Sequence, residues 1–216
     1  MNSYQIILST ILLVSTSFVT AQEWKLVNDK DDVLVYTRKV EGQAIKDVKI
    51  NTTINTTMNE LVAALEDFEL QESWVKNTIE SRKIEEVSPA HFFFYIGTNF
   101  PFPAKDRDAV MEYKRVQAAD SKVITIDYEA FPDKIPENPD YVRIPALTAS
   151  YTLTPLSNDS IAIEYYLRAD IGGSIPSWVI NMGINIGPRD TMKALKKILA
   201  SGKYKNVKVE GVEEMD

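Results

Sequence analysis

The sequence predicts an α+β protein in which a curved antiparallel sheet is covered by one long C-terminal helix. Three observations carry this. Eight short runs rich in β-branched and aromatic residues read as strands; the apolar period switches to a helical one after the second run and again near the end of the chain. The last six runs are joined by short turns, which leave no room for crossover helices and so pair neighbours antiparallel. The final helix then has a concave sheet face to cover.

The first two strands are "VLVYTRKV" and "AIKDVKINTTI", flanked by the polar turns "NDKDD" and "EGQ". At Thr57 the period changes: Thr57 can cap a helix, Glu60 stands three residues on as in a capping box, and Leu61, Ala64, Leu65 and Phe68 share a face, with a break near Asp67. Six strand-like runs follow, from "ESRKIEEV" to "SIAIEYYLRAD". In the third, Ala109, Met111 and Tyr113 fall on the inward face; in the fifth, Leu147, Ala149, Tyr151 and Leu153 do, with Arg143 in phase and in need of a carboxylate or carbonyl partner.

The last helix is marked by Gly172-Gly173, by Ser174 as a cap and by Pro176 in the first turn. Ile175, Val179, Met182 and Ile186 form one apolar stripe, while Trp178, Ile180 and Ile184 point elsewhere, so this half is wrapped in apolar contacts. Met192, Leu195 and Leu199 form an ordinary one-sided stripe in the second half. Pro188, after Gly187, is expected to kink the helix between them. Two readings stay open: a core helix packed on the sheet, or a lid whose second face meets a hydrophobic ligand.

The chain has 216 residues, 44% hydrophobic, enough for one good core and a single domain. A formal charge of −7 argues against a nucleic-acid surface, which needs a dense basic stripe, and disfavours tight electrostatic docking on anionic lipid. Residues 2 to 22 carry no charge, and "IILSTILLVSTSFV" followed by Val19-Thr20-Ala21 has the pattern of a secretory signal cut before Gln22. The apolar run, about 14 residues, is shorter than the ~20 that span a bilayer, although an uncleaved anchor is the alternative. The expected organisation is a signal peptide at 1–21, one ligand-binding domain at 22–205 and a short acidic tail at 206–216. The expected location is secreted or periplasmic, and the expected state monomeric.

Residues for chemistry are scarce. There is no cysteine and a single histidine, His91, in a turn; the patterns of nucleophile elbows, zinc proteases, P-loops and dinucleotide folds are absent from the sequence. No catalytic residue, metal or cofactor is expected. Asp106 and Asp108 around Arg107 read as a structural ion pair. "DIGGS" is either an anion cradle or a plain turn with a cap. Phe100 and Phe102, between prolines in "TNFPFPAKD", either connect strands or form the mouth of a pocket able to touch a membrane transiently.

From Trp24 to Leu199 the chain resembles the START (steroidogenic acute regulatory protein-related lipid transfer) domain. The resemblance rests on Trp74 at the end of the helical insertion, on "FPFPAKDRDAV", on Arg143 in "YVRIP" and on "ADIGGSIPSWVIN", in that order. It implies a helix-grip fold, with the sheet wrapped around the C-terminal helix and a tunnel for one lipid. The expected lining is Phe94, Met111, Tyr113, Arg143, Leu147, Tyr151, Val179, Met182 and Ile186. Several sterol-binding members carry an acid and a basic residue in the tunnel, where this chain has Phe94 and Tyr113. That departure implies a more apolar cavity with Tyr113 as its polar handle. The leading function is a non-catalytic carrier of one hydrophobic molecule. A cyclase- or hydroxylase-like enzyme and a peptide-binding groove are the alternatives.

Overall fold

The computed structural model describes residues 23–215 apart from 44 and 176; for 177–179, 181, 182, 184–186 and 188 it describes the backbone alone. The expected signal segment therefore lies outside the described residues, as do the side chains of Val179, Met182 and Ile186.

The chain opens with three strands, β1 (Lys25–Asn28), β2 (Val33–Arg38) and β3 (Asp47–Ile54), and two short helices, α1 (Met58–Glu66) and α2 (Phe68–Trp74). Six strands follow in β4 (Thr78–Ser88), β5 (His91–Thr98), β6 (Arg107–Gln117), β7 (Ile124–Ala130), β9 (Ala146–Ser157) and β10 (Ser160–Asp170). A two-residue strand, β8 (Val142–Arg143), precedes β9, and α3 (Ser177–Ala200) comes last. Two strands were not expected. β1 is short and exposed, so it offers no alternation to read. β8 is the start of the fifth expected run, cut off from β9 by Ile144-Pro145 and paired parallel with β6.

The sheet order is β1-β2-β3-β10-β9-β7-β6-β5-β4. Apart from β8, every pair is antiparallel. The helices α1 and α2 carry the chain from β3 to the far edge at β4. The strands then return until β10 pairs with β3, Ile163 opposite Thr52. Alternation fixes the inner face: Val33 and Val35, Ile50 and Ile54, Ile124 and Ile126, Leu153, Ile161 and Ile163 are all buried. This open curved sheet with the C-terminal helix laid in it is the helix-grip arrangement.

The switch to helix at Thr57 has the expected local cause. Thr57 Oγ1 accepts from the Glu60 amide at 3.3 Å, and Leu61, Ala64 and Leu65 are buried. The Glu60 carboxylate does not close the box; it accepts from Thr56 Oγ1 at 3.0 Å and the Asn206 amide at 3.3 Å. Asp67 both interrupts the helix and caps its second part, accepting from the Leu70 amide at 3.3 Å and from the Tyr204 hydroxyl at 2.9 Å. The helical assignment of α3 runs unbroken through Gly187-Pro188.

The C-terminal segment is docked rather than trailing. Glu214 accepts from the Met58 and Asn59 amides at 2.9 Å each, occupying two donors that the first turn of α1 leaves free. Arg115 donates to the carbonyls of Glu210 and Gly211 at 3.0 and 3.3 Å, and Val209 and Val212 pack on the core. One carboxylate of the expected short acidic tail, Glu214, thus serves to cap a helix.

Candidate functional site

The inner faces of β5, β6, β7, β9 and β10 do not close completely against α2 and α3. They leave a cavity of about 320 Å³ lined mainly by apolar and aromatic side chains. A second chamber of about 430 Å³ abuts it, between the start of α3 and the strand ends, and the two share Thr98, Ile144, Leu147 and Leu167. The second is bordered by Phe100 and Pro101 of the proline-rich loop, by Ile180, Gly183 and Gly187 of α3, and by Lys46 and Lys76. Such volumes are in the range of small-molecule sites.

Of the expected lining, Phe94, Met111, Leu147 and Tyr151 come together on the inner cavity. Tyr113 and Arg143 do not line it, and each has a physical reason. Tyr113 is fully buried and stacks on Phe92 with centroids 4.1 Å apart; its hydroxyl donates to Glu66 at 2.6 Å, beside Arg115, whose Nε donates to the same oxygen at 2.9 Å. The polar handle is thus engaged outside the cavity. For Arg143 the alternation was counted through Pro145, where the strand breaks. The phase slips by one, Ile144 takes the inward place, and Arg143 turns to Asp108 with bonds of 3.0 and 2.9 Å. The rest of its guanidinium is bound by the carbonyls of Pro132, Ile135 and Pro136, which tie down the second proline-rich loop. The hydrogen bonds that Arg143 donates to Asp108 outweigh desolvation and raise the Arg143 pKa.

Sequence reasoning passed over Tyr128 and Tyr165. They were within reach of it, because Ile124, Ile126 and Tyr128 alternate in β7 and Ile161, Ile163 and Tyr165 in β10. With Tyr151 they form a ladder of rings across β7, β9 and β10, with centroids 6.1 and 4.6 Å apart. Tyr128 and Tyr165 lie deep inside yet keep part of their surface uncovered, because that surface faces the cavity. Burial, with the neighbouring rings adding to it for Tyr128 and Tyr151, pushes all three hydroxyls far above the ordinary tyrosine range, so they stay protonated donors. Trp74 also lines the cavity, and its buried indole Nε1 has no hydrogen-bond partner among the described residues. The lining of the inner cavity, among the described residues, holds no carboxylate, amine, guanidinium or imidazole.

The other chemical candidates are placed elsewhere. His91 Nε2 meets Glu112 Oε1 at 2.7 Å at the start of β5, with Lys114 on the same carboxylate. Burial works against the Glu112 charge, but Lys114 and His91 outweigh it and lower its pKa. Asp106 accepts from the Phe100 amide and Asn99, and Arg107 is buried against the carbonyls of Ile171 and Gly172. "DIGGS" is a turn: Asp170 accepts from the Gly172 amide at 3.0 Å, and Gly172 and Gly173 have φ of 62° and 64°, which glycine adopts without strain. Phe102 is 91% exposed beside the half-buried Phe100. Among the described residues no group of three or more potential ligands is placed to hold a metal.

A ten-stranded open sheet with a C-terminal helix laid in it has counterparts among known proteins. The sequence model of the START domain matches residues 12–204. An uncharacterised protein of Pseudomonas aeruginosa is 30% identical over 176 residues, which span 82% of this chain and 86% of that one. START domain-containing protein 10 of mouse is 26% identical, over 81% of this chain and 60% of its own length. The crystal structure of a STAR-related lipid transfer protein from Xanthomonas axonopodis superposes with a TM-score of 0.75 at 29% identity, covering 82% of this chain and 98% of that one. The chain belongs to the START domain family, known for binding and transferring lipids and sterols.

Proposed function

We propose that this protein is an exported carrier that holds one lipid or sterol-like molecule between the concave sheet and α3 and releases it unchanged. The observation that carries the reading is the uncharged, aromatic and aliphatic inner cavity joined through a shared wall to the chamber under α3. Covering about 300 Å² of apolar ligand surface at about 25 cal/mol/Å² contributes roughly 7 kcal/mol before ordering costs, so retention needs no covalent or metal contact. The non-catalytic part of the reading is supported by where the acids and bases sit: Glu66, Arg115, Asp108 and Arg143 are paired with one another outside the inner cavity. Phe102 stands free beside the outer chamber, where an aromatic side chain can enter a bilayer surface during loading. Export rests on the uncharged leader that ends at Val19-Thr20-Ala21.

Native mass spectrometry of the purified protein tests the carrier reading. The expected result is protein with one co-purifying lipid, returned at unchanged mass after incubation with a lipid extract. A converted lipid would make the protein an enzyme, and uptake of peptide alone would make the groove a protein-binding site. An intact mass that begins at Gln22 tests export in the same sample.

A further inference from the structure

The aromatic ladder on the concave face changes character along its length. Phe92 carries no hydroxyl, and the hydroxyl of Tyr113 is satisfied by Glu66 outside the cavity. The next three rungs, Tyr128, Tyr151 and Tyr165, each bring a hydroxyl into the interior, and none of the three has a hydrogen-bond partner among the described residues. Opposite the sheet, the indole N–H of Trp74 is a buried donor without an acceptor among the described residues, whereas Tyr128 and Tyr165 keep surface open to the cavity. Buried donors are paired in nearly all proteins, because an unpaired one forfeits its hydrogen bonds to water. Phenylalanine at the same rungs would fill the space without that cost, as Phe92 and Phe94 do next to them. One buried donor without an acceptor and three tyrosines that open onto the same cavity therefore point to acceptors that arrive with an occupant.

Resting on the carrier reading, we propose that the inner cavity selects the uncharged, oxygen-bearing end of a lipid, recognised by Tyr128, Tyr151, Tyr165 and Trp74. The hydrocarbon extends into the outer chamber along α3. The charge requirement follows from the lining. A carboxylate or phosphate placed in the inner cavity would lose its water and meet no cation there, whereas an ester carbonyl, ether or hydroxyl oxygen needs only the donors already present. The lysines of the site, Lys46 and Lys76, border the outer chamber instead, at the far side of the shared wall.

The test holds the chain constant and varies the end. Lipid-free protein is offered monooleoylglycerol, oleate and oleoyl-lysophosphatidylcholine at equal concentration, and the retained species are quantified by native mass spectrometry. The inference expects monooleoylglycerol to be retained over each of the others by about tenfold, the discrimination that one uncompensated polar group imposes. Tyr151→Phe and Tyr165→Phe should each lower that preference by about threefold to tenfold, while Tyr113→Phe leaves it unchanged. Equal or better retention of oleate overturns the proposal in favour of an anionic end. Better retention of the lysophospholipid overturns it in favour of a cation held on the aromatic faces. Either result leaves the carrier reading standing. Failure of the wild-type protein to retain any oleoyl lipid overturns the proposal, while the co-purifying species found by native mass spectrometry decides the carrier reading. The competition on wild-type protein decides the matter even where a variant folds poorly.

Discussion

The two halves of α3 share one helix and differ in what holds them. In the C-terminal half, Met192, Leu195 and Leu199 are buried in the core, and Asp31, in the β1–β2 turn, pairs with Lys193 at 3.1 Å and Arg189 at 3.9 Å. Just beyond it Tyr204 is bonded to Asp67. In the N-terminal half, Ile180, Gly183 and Gly187 border the outer chamber, and a Cβ at either glycine would meet no atom of the described residues within 4 Å outside its own stretch of helix. Gly183 and Gly187 are four apart, so they lie on one face of the helix and open a trough beside the chamber. One half is thus pinned in the core, and the other borders open space.

The comparison can be broken most forcefully at the open end. Arg143 lies near the mouth but is held as tightly as any core group, so Arg143→Met, which strands the buried Asp108 carboxylate, should cost about 4 kcal/mol in urea unfolding. An unchanged midpoint would mean that the mouth loops do not depend on this pair. At the pinned end, Leu195→Ala should cost about 3 kcal/mol by leaving a void in the core, with lipid loading normal in the fraction that stays folded. Gly183 separates the halves by sign. Gly183→Ala should raise stability by up to about 1 kcal/mol through helix propensity alone, while Gly183→Leu should keep that gain and reduce the amount of lipid retained. Full loading of Gly183→Leu would remove the trough from the cargo path.

The smallest effect is expected where the C-terminal segment supports the pinned side. Burial opposes the Glu214 charge, but the hydrogen bonds from Asn59 and Met58 outweigh it and lower its pKa. A depressed folded pKa stabilises the protein above the ordinary carboxylate range, and that contribution is lost as pH falls through the lowered value. Glu214→Gln should therefore cost about 0.3–1 kcal/mol at neutral pH, and the difference from wild type should shrink in acid. A pH-independent difference in melting temperature would assign the effect to packing.

How much of this was legible in the sequence depends on whether a feature is local. The helix at Thr57, its interruption at Asp67, and the inward rows through Met111 and Tyr151 follow from neighbours within a few residues, and the structure has them there. The misassignments arise where distance along the chain intervenes. Arg143 was counted in phase across Pro145, which restarts the alternation, and Tyr113 was read as a free handle because Glu66 lies 47 residues away. The docking of residues 209–214 on α1 and β6 spans still longer separations, and an acidic run by itself carries no sign of its partner. Tyr128 and Tyr165 were readable by the same alternation as Tyr151.

The cap that Glu214 places on α1 also has a consequence for synthesis. The residues it joins are 156 and 155 positions apart, and β3 waits for β10, more than a hundred residues later, before its second edge is paired. A chain emerging from the ribosome can form the β1–β3 meander and α1 early, but the meander gains its second neighbour only with β10 and α1 its cap only with Glu214. Chains arrested with residue 204 as their last should be cleaved by protease around α1, and release of the full chain should protect that segment. The contacts of residues 209–214 with α1 and β6 lie beyond residue 204, so a boundary drawn at the limit of the family match would remove them.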